Sequence, residues 1–206
     1  DNSDMTELTE SIKANGLLNP IIVRKKADGR YELISGHRRK RAYEILKLKK
    51  INAVITDLND DEAIIMMVDS NCQRSNILPS EKAFSYKMKL DAIKRQGKRT
   101  DLTLSQVGKK LNAYEELARS SGDSRNQVHR YIRLTYLVPE LLEFVDNGRM
   151  KMQPAVELSY LDEEAQRDIV DIIDETGVFP SFSQTVRMRK TDKGELTYEK
   201  NIRNIV

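Results

Sequence analysis

The sequence predicts an α+β chain, with a small mixed-sheet N-terminal domain followed by an all-α helix-turn-helix domain. Three observations carry this. Residues 4–55 alternate helical spacing with short β-branched runs in the order α, β, β, α, β, which implies a small sheet with helices packed against it. From Asn59 onward the periodic stretches all have helical spacing. Within them, residues 112–136 combine a glycine turn with small and branched residues at helix-turn-helix offsets. The domains expected are 1–78 and 79–190, with 191–206 starting a further linker.

The first element, Asp4 to Asn15, reads as an amphipathic helix with Met5, Leu8 and Ile12 inward, capped by Asp4 or Thr6 and ended by Gly16. Pro20 to Val23 is a β-branched run, Ala27 to Arg30 has turn chemistry, and Tyr31 to Ile34 returns as the second strand of a hairpin. Ser35-Gly36-His37-Arg38-Arg39-Lys40-Arg41-Ala42 then opens a helix with Ala42, Ile45 and Leu46 on one face. A helix entered from a strand through a small residue leaves free N–H groups and partial positive charge at its start, a natural anion seat. Four basic side chains there oppose the helix dipole, a cost that a nucleotide's phosphates would turn into affinity. The same run also reads as a solvated basic face, but its place straight after strand and glycine favours phosphate.

Residues 51–55 supply a third strand candidate. Asn59 and Glu62 form a capping box, with Ala63, Met66 and Met67 at core spacing behind it. Pro79 and Ser80 open a helix whose Ala83, Tyr86, Leu90 and Ile93 share one stripe. Lys94 to Thr100 reads as a basic, glycine-interrupted linker. Thr103 with Gln106, Asn112 with Glu115, Ser124 with Gln127 and Ser181 with Gln184 fit N-cap patterns. Asp162 caps a helix with Ala165, Ile169, Ile172 and Ile173 inward, closed by Gly177.

Composition narrows the function classes. Net charge is only +3, so any nucleic-acid footprint is local. A single cysteine, Cys72, excludes an internal disulfide framework and fits a reducing cytoplasm. With two histidines besides, a zinc site of such ligands is not expected. No apolar run approaches the roughly 20 residues of a membrane span.

In the helix-turn-helix stretch, Ala118 permits close helix approach, Gly122 supplies the turn, and Val128, Ile132 and Tyr136 form the inward stripe of the second helix. Ser124 caps that helix, and its outward face offers Arg125, Asn126, Gln127, His129, Arg130 and Arg133. These groups hydrogen-bond base edges and phosphates, with no acid among them.

Several of these pieces occur together and in order in one family. The chain resembles ParB-type partition proteins over roughly residues 4–190. Ser11 to Arg24 is similar to the family's opening box, Gly36-His37-Arg38-Arg39-Lys40-Arg41-Ala42 to its Gly-x-Arg-Arg-x-Arg-Ala motif, and Asn71-Cys72-Gln73-Arg74 to its Glu-Asn-x-x-Arg motif. The resemblance implies CTP binding with Mg2+ in the N-terminal domain, recognition of a centromere-like double-stranded DNA site, and closure of a homodimer as a sliding clamp. Carried over by position, Asn19 and Pro20 line the nucleotide pocket, and Gly36, His37, Arg38 and Arg39 meet the phosphates. Asn71 helps hold the metal and Arg74 braces the motif. A ParA-type ATPase partner and a cytoplasmic, DNA-associated location are implied in the same way. His37 and Ser70 stand where the family commonly has Glu. A serine hydroxyl has no useful basicity at neutral pH, so weak or absent CTPase activity is expected. The family pattern assigns no role to the polar stretch Lys94 to Leu111. The chain's start at Asp1 and its short end after Thr191 read as a truncation that lacks a C-terminal dimerisation domain. Two other readings stay open: a helix-turn-helix transcription regulator without nucleotide switching, and a nuclease on the same N-terminal fold.

Overall fold

A computed structural model describes residues 3–72, 77–101 and 113–191, with 97–101 and 191 described as backbone only. The described chain falls into two compact units, residues 3–72 with 92–101, and residues 77–91 with 113–191.

The first unit opens with α1 (Ser3–Asn15), whose Met5 and Ile12 are buried with Ala42. The chain then forms β1 (Ile21–Lys25) and β2 (Tyr31–Ser35), an antiparallel hairpin that pairs Arg24 with Glu32, with an irregularity between Ile22 and Val23. Asp28 shapes its turn by accepting the Arg30 N–H at 3.0 Å. Next come α2 (His37–Ile45) and β3 (Ala53–Thr56), which pairs parallel to β1 and gives the strand order β2-β1-β3. The buried Arg24 guanidinium ties this corner, meeting Glu32 at 2.6 Å, Asp60 at 2.7 Å and the Leu58 carbonyl at 3.2 Å. On α2, Ala42 is buried and Leu46 partly so, but Ile45 is 41% exposed. Tyr43 takes the inward place expected of Ile45, because the face of α2 that meets α1 runs through Ala42, Tyr43 and Leu46.

The capping box forms at α3 (Asp60–Cys72): Asn59 N–H donates to Glu62, and Asn59 Oδ1 accepts the Asp61 and Glu62 amides at 3.0 and 3.1 Å. Behind it Ala63 and Val68 are buried, while Met66 and Met67 are only partly so. The basic stretch expected to be a linker is helical instead. α4 runs unbroken from Pro79 to Asp101. Lys, Arg and Gln are good helix formers, and one interior glycine costs only about 1 kcal/mol. A helix already anchored by packing carries that cost, and Arg95 adds an ion pair at 2.7 Å to the buried Asp61.

In the second unit the α4 stripe of Ala83, Tyr86 and Leu90 is buried as its spacing requires. There follow α5 (Ala113–Ser121), α6 (Arg125–Leu134), α7 (Pro139–Asp146), α8 (Met152–Leu158), α9 (Glu163–Thr176) and α10 (Phe182–Thr191). Leu134, Leu141, Leu158, Ile169 and Ile173 head one continuous core. Burying a side chain of that size contributes roughly 1.5–3 kcal/mol. The expected caps form at three helices. Ser124 accepts from Gln127 N–H at 3.2 Å and Asp162 from Ala165 N–H at 2.8 Å, while Ser181 and Gln184 bond reciprocally. Gln166 is buried and fully used: its amide donates to the Tyr136 and Leu161 carbonyls, and its oxygen accepts Val138 N–H at 2.8 Å. The caps expected of Thr103 and Asn112 lie outside the described residues, as do Arg74 and residues 192–206.

Candidate functional site

Two places gather the residues singled out by the sequence, one in each unit. The first is the β2–α2 junction. Gly36 has φ +105°, a left-handed conformation that L side chains avoid, and a Cβ there would lie 2.7 Å from Ile21 Cγ2. Only glycine lets β2 turn this closely past β1. No side chain caps α2, so its first amides, at His37, Arg38 and Arg39, lack intrahelical acceptors and point outward from the turn.

The four cations do not crowd the helix tip. Arg39 folds back and donates from Nη1 to the Asn19 and Pro20 carbonyls, both at 2.6 Å. Arg38 reaches the Asp4 carbonyl at 3.1 Å. Lys40 and Arg41 both pair with Glu44, whose carboxyl is held below its usual range by the Lys40 hydrogen bond first and the Lys40 charge second. His37 stands exposed at the first helical position. Beside Arg39 opens a cleft of about 530 Å³, walled by Ile12, Leu17, Pro20, Ile22 and Val54 with Asn19 among its lining residues. Asn19, Pro20, Gly36 and Arg39 therefore come together at one place, through Arg39 itself. Asn71 lies half-buried at the end of α3, the helix that packs on β2. The neighbouring Ser70 hydroxyl is turned into its own helix, donating to Met66 O at 2.6 Å.

The second place is the helix-turn-helix of α5 and α6. α5 runs to Ser121, so the turn is only Gly122 to Ser124, with Gly122 at φ +74°. Val128, Ile132 and Ala118 are all buried, as expected. Tyr136 is not part of the inward stripe. α6 ends at Leu134, which is fully buried, and Tyr136 stands beyond the helix end with 52% of its surface exposed. Ser124, Arg125, Asn126, His129 and Arg130 are all exposed along α6 and its cap. Gln127 is half-buried, its amide against Met152 Sδ at 3.5 Å. Arg133 departs from the expected outward face. It donates to Ser159 Oγ at 3.1 Å and to the Ser159 carbonyl, and its guanidinium stacks 3.8 Å from the Tyr160 ring centre. The reason is reach, since a long side chain at the end of α6 meets α8 before it meets solvent. The periodicity also gave no sign of Tyr114, whose ring lies 6.1 Å from that of His129.

Comparison with known proteins bears on both places at once. Residues 1–72 match the ParB N-terminal domain and residues 79–179 the ParB HTH domain. The chain belongs to the ParB family. Among ParB relatives, the chromosome-partitioning protein Spo0J of Thermus thermophilus is 36% identical over 160 residues, 78% of this chain and 52% of that protein. A probable chromosome-partitioning protein ParB of Coxiella burnetii is 31% identical over 193 residues, 94% of this chain and 58% of that one. The chain thus spans about half the length of the ParB relatives it matches. Among solved structures, it is similar in fold to the C-terminally truncated ParB of Caulobacter crescentus complexed to the centromeric parS site, with a TM-score of 0.55 and 23% identity, covering 93% of this chain and 89% of that one. A ParB chain is thus expected to be α+β with a helical second half, and the three-stranded sheet followed by α4–α10 has that architecture. Among the described residues no helix is long and apolar enough to cross a membrane.

Proposed function

We propose that this chain is a DNA-binding partition protein that recognises a centromere-like duplex through α6 and binds CTP at the start of α2. The observation that carries the reading is the acid-free exposed face of α6, Arg125, Asn126, His129 and Arg130, behind a Ser124 cap in a glycine-turned helix pair. Such side chains hydrogen-bond base edges in the major groove and phosphates along its rim. Membership of the ParB family and the partition names of its relatives support the same reading.

For the nucleotide, support comes from the α2 N-terminus, where uncapped amides and basic side chains suit a triphosphate. The apolar cleft beside Arg39 suits a flat base. In this reading Gly36, His37 and Arg38 meet the phosphates, Asn19 and Pro20 face the nucleoside, and Arg74 braces the motif. No group of three or more His, Cys, Asp or Glu able to hold a metal ion occurs among the described residues. A magnesium ion would therefore be held mainly by phosphate oxygens and water, with Asn71 as the chain's own oxygen ligand, a donor set such an ion accepts. Such an ion would offset the triphosphate's charge. Closure of a homodimer as a sliding clamp, and a ParA-type ATPase partner, follow from the family likeness as part of the same proposal.

Binding of labelled CTP, with ATP as competitor and Arg38→Ala as control, tests the nucleotide half. Saturable binding that ATP does not displace and that Arg38→Ala weakens at least tenfold is expected. A duplex-binding protein indifferent to CTP would instead be a plain transcription regulator.

A further inference from the structure

On one face of α4, Lys82, Tyr86 and Lys89 are spaced four and three residues apart, and all three reach the helix-turn-helix. Lys89 is buried and donates to Ser120 Oγ at 2.8 Å, at the end of α5. The Tyr86 hydroxyl donates to Asp123 Oδ2 at 2.6 Å, and Lys82 Nζ meets the same oxygen at 2.8 Å. Asp123 is the residue before the Ser124 cap of α6. The Lys82 ammonium also lies 4.6 Å from the ring centre of Tyr131, in the body of α6. Tyr131 in turn meets the Tyr86 ring edge-on, at 5.7 Å between centres and 82° between planes. Two residues of α4 therefore hold α6 at two points, just before its first turn and in its second half.

The apolar core does not supply this. Val128, Ile132 and Leu134 bury one stripe of α6, which fixes where the helix lies. The bonds to Asp123 and the contact with the Tyr131 ring add directed constraints on the rotation and tilt of α6, and base readout depends on how that helix lies in the groove. An apolar pair of similar volume would often join these helices with equal stability, so two polar side chains of α4 converging on one carboxylate point to a role in orientation as well.

We propose that Lys82, Tyr86 and Asp123 are positioning residues for DNA recognition: they set the angle at which α6 presents Arg125, Asn126 and Arg130 to a duplex. This rests on the reading of α6 as a DNA-reading helix. None of the three touches bases in this role. Their loss changes discrimination between sequences while leaving the phosphate attraction intact.

The test uses the full chain. Wild-type protein first selects duplexes from a random pool. Affinities for the enriched duplex and for a scrambled duplex of equal composition are then measured against salt for wild type, Lys82→Met and Tyr86→Phe. Tyr86→Phe removes a single hydroxyl and keeps the ring packing, so it remains informative if Lys82→Met fails to fold. The expected result is a fall of tenfold or more in the ratio of the two affinities, with scrambled-duplex affinity within twofold of wild type and the salt slope unchanged. A purely structural role would lower both affinities in proportion to the folded fraction. An unchanged ratio overturns the inference. Equal losses on both duplexes with a shallower salt slope overturn it too, because Lys82 would then be a phosphate contact. Wild-type protein that enriches no duplex overturns the reading of α6 itself, and the inference with it.

Discussion

Gly36 and Ile21 approach so closely that a single methyl group on the glycine would sit 2.7 Å from Ile21 Cγ2, with the backbone already at φ +105°. Strain and collision act on the same atom. Gly36→Ala is therefore expected to destabilise the first unit by about 2 kcal/mol or more. Chemical denaturation followed by circular dichroism measures this, and a loss under 0.5 kcal/mol would mean that β1 shifts freely.

Arg39 connects the basic helix to the loop before β1 through two backbone carbonyls, Asn19 and Pro20. Removing it leaves both acceptors to water at a half-exposed site, a change of roughly 1 kcal/mol in stability. If that loop holds the nucleotide, Arg39→Ala should weaken CTP binding at least tenfold, a larger effect than its stability cost. Calorimetric titration beside a thermal melt separates the two.

Arg130 and Arg133 lie one turn apart on α6 with opposite surroundings, the first exposed and the second stacked on Tyr160. Arg130→Ala is expected to weaken duplex binding and reduce the salt slope by about 0.9 for one lost phosphate contact. Arg133→Ala should leave the slope unchanged and lower stability by about 1–2 kcal/mol, through its bonds to Ser159 and its stack on Tyr160. Binding isotherms at several salt concentrations compare the pair.

Tyr86 and Asp123 predict opposite pH limbs. Burial first, and the bond to Asp123 second, push the Tyr86 phenol up to about 12. The unfolded phenol titrates near 10, so above that pH the unfolded state sheds its proton first. The stabilisation from neutral Tyr86 is whole below pH 10 and lost as pH climbs toward 12. Burial pushes the Asp123 carboxyl up, but the bonds from Lys82 and Tyr86 with the Lys82 charge outweigh it, and the net shift is downward. Its contribution is present above the unfolded value near 4 and fades as pH falls below that. Urea midpoints measured across pH for wild type and Tyr86→Phe should draw together progressively as pH rises from 10 toward 12, and Asp123→Asn should flatten the acid limb.

Ser70 keeps its hydroxyl on Met66 O, inside α3. With no carboxylate at that position, phosphate release from CTP in the presence of the selected duplex is expected to stay near background. Turnover at a steady rate would show that another group, such as Asp69, activates the water.

The features that the sequence determined by itself are local ones. The boxes at Asn59–Glu62 and Ser181–Gln184, the caps at Ser124 and Asp162, and the inward stripe of α9 all depend on partners three or four residues away, so their spacing encodes them. Gly36 before a basic helix was readable for the same reason. Where the long side chains end depends instead on contacts distant in sequence. Arg39 finds acceptors 19 and 20 residues away, Arg133 finds Ser159 at a separation of 26, and Tyr86 finds Asp123 at 37. The exposure of Ile45 and Tyr136 and the continuation of α4 past Lys94 belong with these. A guanidinium on several rotatable bonds, or a helix end with average propensities, has many local solutions of nearly equal energy. Packing against an element distant in sequence selects one of them, and no periodicity within the segment records that choice.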